Sequence, residues 1–158
     1  MTDYSSLIPG MRDCDGTPWI DVQNWLYTQG NYEILIACGA LFWPTFLEYK
    51  DCIVRHSSCN NYIENYARLT ADGPVERGYV EERLNRLEIV DIISPTNPAS
   101  LSMEQAIHIG ELLKQMWQAK LTSEFPNRDF HVSFFVYDGD RVEDLALTFC
   151  QKRSYLIE

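Results

Sequence analysis

Phe130-His131-Val132-Ser133-Phe134-Phe135-Val136-Tyr137 and, a short way on, Leu145-Ala146-Leu147-Thr148-Phe149-Cys150 are the two runs that decide the fold. In the first, Phe130, Val132, Phe134 and Val136 alternate with His131, Ser133, Phe135 and Tyr137. In the second, Leu145, Leu147 and Phe149 alternate with Ala146, Thr148 and Cys150. A period of two puts one set of side chains on each face of a strand. Asp138-Gly139 lies between the runs and opens a turn, so the chain is expected to close with an antiparallel hairpin.

Working backwards, Met103 to Thr122 reads as an amphipathic helix. Ala106, Ile109, Leu113, Met116 and Trp117 fall on one face, opposite Glu104, His108, Glu111, Gln115 and Gln118. Ser102 with Gln105 makes a capping box at its start. Before it, Ser94 to Ser100 with Pro95 and Pro98 reads as a loop. A helix is expected from about Val75, with Val80, Leu84 and Leu87 on one face. Ile89 and Ile92 fall off that face, so either the helix is buried on two sides or a short strand forms near Glu88. Ser57 or Ser58 can cap a helix over Asn60 to Leu69, stopped by Ala71-Asp72-Gly73-Pro74.

Phe46-Leu47-Glu48-Tyr49 and Cys52-Ile53-Val54-Arg55 flank Lys50-Asp51 and read as a second hairpin, although its turn lacks glycine. Residues 31–43 are apolar. Ile34, Leu35, Cys38, Leu41 and Phe42 fit a helical stripe, but the run is also short enough for a buried strand. Thr17-Pro18 starts a helix to about Thr28, and residues 1–16 read as an irregular arm. The expectation is one domain over residues 1–158, of α+β class, with an antiparallel sheet built from two hairpins and helices packed mainly on one face.

Thirteen basic residues stand against twenty-three acidic ones, a formal charge of −10. The basic residues are scattered, so nucleic acid and anionic membrane surfaces are unexpected partners. Ile34 to Trp43, the longest apolar stretch, is about half a membrane span. Five cysteines, Cys14, Cys38, Cys52, Cys59 and Cys150, form no Cys-x-x-Cys pair. Met1 to Gly10 has neither a basic nor an apolar leader region. Free thiols and a cytoplasmic location are expected.

The stretch Ala40-Leu41-Phe42-Trp43-Pro44-Thr45-Phe46-Leu47-Glu48-Tyr49 resembles a group of small bacterial domains of unknown function, in which a Leu-Phe-Trp-Pro-x-Phe segment precedes a hairpin and a helical region. That resemblance implies no activity. In size, acidity and α+β order the chain is similar in type to immunity proteins of bacterial toxin systems, which implies an inhibitor without naming any site residue.

Few residues point to chemistry. Glu104, His108 and Glu111 share one helix face at i, i+4 and i+7 and are weak candidates for a metal site, which would need a second element to complete it; otherwise they are a solvated face. Cys52, His56 and Cys59, with His131, invite a zinc reading, but the gaps are not those of a common finger. Cys150 and His131 could meet across the terminal hairpin as a nucleophile pair. Asp138, Asp140, Glu143 and Asp144 form an acidic turn that lacks the calcium-loop pattern and could dock a basic partner. Phe42, Trp43 and Phe46 around Pro44 are expected to anchor the core, whereas an exposed Trp43 becomes a contact hot spot. No catalytic residue, metal or cofactor is expected. The expected function is association with a protein, a basic one or a second copy, through Trp43 and the acidic turn. The alternative is a small hydrolase using His108 or His131, which would show a pocket where histidine and carboxylates converge.

Overall fold

The computed structural model describes residues 31–56, 61–92, 101–136, 141–152 and 156–157. The chain divides into two compact units, Met1–Cys38, of which residues 31–38 are described, and Gly39–Glu158. The expected arm over 1–16, the helix over 17–28, the loop over 94–100 and the Asp138-Gly139 turn lie outside the described residues.

Residues 32–42 resolve as helix. Helix α1 runs Tyr32–Phe42, with the Asn31 side chain accepting from the Glu33 and Ile34 amides at 2.9 and 3.3 Å. It stops short of Pro44, which disfavours the helical conformation in the residue before it. Strands β1 (Phe46–Tyr49) and β2 (Cys52–Arg55) then pair as the expected hairpin. Lys50 and Asp51 both have positive φ, 48° and 64°, the two-residue turn whose twist matches paired strands. Tertiary contacts hold this glycine-free turn. The Lys50 ammonium lies 4.8 Å from the Tyr66 ring centre, and the Asp51 carbonyl accepts from Gln151 Nε2 at 2.9 Å.

Helix α2 spans Tyr62–Leu69. Its cap is Asn61, not the serines: Asn61 Oδ1 accepts from the Glu64 amide and Nδ2 donates to Glu64 Oε2. The next helix, α3, begins at Arg77 and ends at Leu84, because Val75–Glu76 is taken up as strand β3, paired with β7 (Leu156–Ile157) at the far end of the chain. After α3, Leu87–Glu88 forms the short strand β4 and Ile89–Ile92 a 3₁₀ turn, which accounts for the break in helical periodicity. Helix α4, Met103–Glu124, carries the Ser102–Gln105 capping box. Strands β5 (Phe130–Val136) and β6 (Leu145–Gln151) pair in one continuous register, with Ser133 opposite Thr148.

The class is α+β with antiparallel sheets. The two hairpins lie in different sheets: β1-β2 stands alone, β3 pairs with β7, and β4-β6-β5 form the three-stranded sheet. Helix α4 covers one face of that sheet. Ala106, Leu113, Trp117 and Leu121 pack there with Phe130, Val132, Leu145, Leu147 and Phe149. Gly110 lets the helix approach, since a Cβ there would run into the Phe134 ring. Helix α3 lies against the other face, where Thr148 Oγ1 donates to the Glu82 carbonyl at 2.7 Å. Covered on both sides, β6 buries Ala146 and Thr148 as well as its leucines.

A polar seam joins β2 to β6. Glu81 on α3 and Asn85, one turn on at its C-cap, are both fully buried. Glu81 Oε1 accepts from the Ile53 amide at 2.7 Å and from Gln151 Nε2 at 2.6 Å, and Oε2 accepts from the Gln151 amide at 2.7 Å. Asn85 Oδ1 accepts from the Arg55 amide at 2.8 Å, while Nδ2 donates to the Ile53 carbonyl at 2.8 Å and faces the Phe149 carbonyl at 3.5 Å. Two side chains thus fill backbone hydrogen-bonding positions that a neighbouring strand would otherwise take, as buried peptide groups require. Burial raises the Glu81 pKa above its ordinary value; the Gln151 and Ile53 donors and the Arg77 charge pull it back part of the way.

Candidate functional site

Two surface features stand apart from the core. The first is Trp43. Phe42 before it is half-buried and Pro44 and Phe46 after it are buried, so Phe42 and Phe46 pack inward as expected, whereas Trp43, expected to anchor with them, does not. Trp43 itself is 46% exposed. Its backbone is pinned by an amide bond to the Gly39 carbonyl at 2.9 Å, and the Lys120 ammonium sits 5.3 Å from its ring centre. Just before it, the Leu41 carbonyl accepts from Trp117 Nε1 at 3.0 Å. The exposed indole therefore projects from a fixed backbone. Lys120, Met116 and Leu112 recur every four residues and share a flank of α4; Leu112 is 40% exposed.

The second is a groove of about 270 Å³ between α3 and the sheet, lined by Tyr79, Glu82, Arg83, Arg86, Phe135 and Thr148. Alternation explains its composition: on β5 and β6 the core-facing residues are Val132, Phe134, Leu147 and Phe149, leaving Phe135 and Thr148 for the opposite face. The Arg83 guanidinium stacks 5.3 Å from the Tyr79 ring centre, and Arg86 Nε pairs with Glu88 Oε1 at 2.6 Å. No histidine lines the groove.

The residues singled out in the sequence are dispersed. Among the described residues no three His, Cys, Asp or Glu side chains gather where they could hold a metal ion. Glu104, His108 and Glu111 lie along the outer face of α4, with Glu111 Oε2 3.6 Å from Lys114 Nζ. Cys52 points into the core of the α2–α3 side, away from a zinc role with His56; Cys59 lies outside the described residues. His131 and Cys150 do sit opposite each other across the hairpin, but the Cys150 thiol donates to Glu82 Oε1 at 3.6 Å. Burial, then the Glu82 charge, pushes its pKa up to about 12; burial and the Glu81 charge do the same to Cys52. A thiol held protonated is a poor nucleophile. Of the acidic turn, Glu143 is exposed and its Oε2 lies 3.7 Å from Arg141 Nε, and Asp144 is half-buried in a 3₁₀ turn; Asp138 and Asp140 lie outside the described residues.

The groove and the seam were missed in the sequence. Glu81, Glu82 and Asn85 carry no motif that marks them, and only the docking of α3 onto β6 brings their partners within reach. No described helix is long and apolar enough to cross a membrane. No family model, curated protein or solved structure matches the chain.

Proposed function

We propose that this protein works by association with another protein, with Trp43 as the anchor of the contact, and that it is not a catalyst. The exposed indole on a pinned backbone is the observation that carries this reading. Tryptophan is the residue type most enriched where a few side chains supply most of the binding energy, and a backbone already fixed loses little freedom on binding. The flank of α4 carrying Leu112, Met116 and Lys120 extends the contact. The net charge of −10 favours a basic partner, with Glu143 and the acidic turn around it steering the encounter. Size, acidity and α+β order suit an immunity-type inhibitor that neutralises a basic toxin. The dispersal of His56, His108 and His131 away from the groove, and thiols held protonated, weigh on the side of binding over hydrolysis.

The test is capture of the partner from the source cells, with Trp43→Ser run in parallel, followed by association kinetics. The expected partner is basic, is absent from the Trp43→Ser capture, and associates more slowly as salt is raised while dissociation changes less. A partner held equally by both proteins would refute the assignment of Trp43.

A further inference from the structure

The groove between α3 and the sheet holds an acid and a base that nothing else in the described structure engages as ions. Glu82 is half-buried, and its carboxylate accepts only the Cys150 thiol, at 3.6 Å; no described cation lies within ion-pair reach of it. Arg83, the next residue, rests its guanidinium on the Tyr79 ring and meets no described carboxylate. The other arginine, Arg86, is already paired with Glu88. Glu82 and Arg83 both line the groove, Glu82 half-buried and Arg83 exposed. Tyr79 and Phe135 give the groove aromatic surface, and about 270 Å³ is room for a small molecule rather than a peptide.

From this arrangement we propose that the groove is a binding site for a small zwitterion with an apolar body, of the free α-amino acid class. Its ammonium pairs with Glu82, its carboxylate with Arg83, whose planar fork suits two parallel hydrogen bonds, and its side chain lies along Tyr79 and Phe135. A simple anion meets Glu82 and a simple cation meets Arg83, so each is opposed by one charge of the α3 wall. A zwitterion satisfies both. The site shares no residue with the Trp43 face, and its failure leaves the association reading untouched.

The probe is L-phenylalanine, titrated into the full chain while the backbone amide resonances of Glu82, Arg83, Arg86, Phe135 and Thr148 are followed. The controls are 3-phenylpropionate, which lacks the ammonium, and 2-phenylethylamine, which lacks the carboxylate. We expect saturable shifts confined to the groove with a Kd of about 1 mM, and binding of each control at least about tenfold weaker. Glu82→Gln should erase the preference over 3-phenylpropionate, and Arg83→Gln the preference over 2-phenylethylamine. Both side chains reach solvent, so both variants should keep the wild-type spectrum elsewhere. Absence of saturable shifts at about ten times that concentration, or equal binding of all three compounds, would overturn the proposal.

Discussion

Glu81→Gln is the sharpest test of how the fold is held together. The change keeps the shape of the side chain and replaces a carboxylate with three donors by an amide with one acceptor. If the amide oxygen takes the Oε1 position, it keeps Ile53 N and Gln151 Nε2 as neutral bonds, which are roughly half as strong as charge-assisted ones. The amide nitrogen then confronts the Gln151 N–H, donor against donor, and that buried N–H is orphaned at a cost of about 1–3 kcal/mol. Removing the buried charge returns part of its desolvation cost. The net expectation is a loss of about 2–3 kcal/mol. Glu82→Gln is the matched control. Its carboxylate accepts only a weak thiol bond, so its loss should stay below about 0.5 kcal/mol. Equilibrium urea unfolding at pH 7, with unchanged slopes, reads both. If Glu81→Gln unfolds within about 0.5 kcal/mol of wild type, the seam does not join β2 to β6 as argued.

Three further outcomes are expected. Gly110→Ala should destabilise by about 1 kcal/mol, because displacing the Phe134 ring outweighs the gain in helix propensity, and the same change in a Phe134→Ala background should stabilise by about 1 kcal/mol; thermal melts of the four proteins measure this. Asp51→Gly should raise stability by up to about 1 kcal/mol, since it relieves a positive φ while keeping the carbonyl that Gln151 bonds; a wild-type or lower melting point would contradict this. For the thiols, folding raises the Cys52 and Cys150 pKa values from 9.0 to about 12. Their contribution is whole below pH 9 and is lost as pH climbs toward 12. Native protein should resist iodoacetamide at Cys52 and Cys150 at pH 7.5, and Cys52→Ala should flatten part of the alkaline loss of stability; rapid alkylation of either thiol would count against the burial argument.

The strands were legible because alternation is a local signal: Phe130 to Val136 and Leu145 to Phe149 state their own faces. The capping box at Ser102 was legible for the same reason. Glu81 and Asn85 were not, because a carboxylate in the middle of a helix is ordinarily solvated, and only strand edges brought from residues 53 and 151 make it a bridge. β7 was missed since two residues, Leu156 and Ile157, carry no period and pair with a partner some eighty positions away. The helix after Gly73 starts two residues later than its periodicity suggests for the same reason: β3 is defined by its distant partner, not by its own sequence. The sequence reads Trp43 as a core anchor and, only if exposed, as a contact residue, because composition does not fix its exposure. In the structure Pro44 and Phe46 turn inward while Trp43 stays 46% exposed.

The association reading stands or falls on one number, the affinity of the captured partner for Trp43→Ser relative to wild type, measured calorimetrically at physiological salt with both proteins shown to melt alike. A weakening of about 30-fold or more, equivalent to about 2 kcal/mol, is the predicted result for an anchoring tryptophan. An affinity within about twofold of wild type would contradict it.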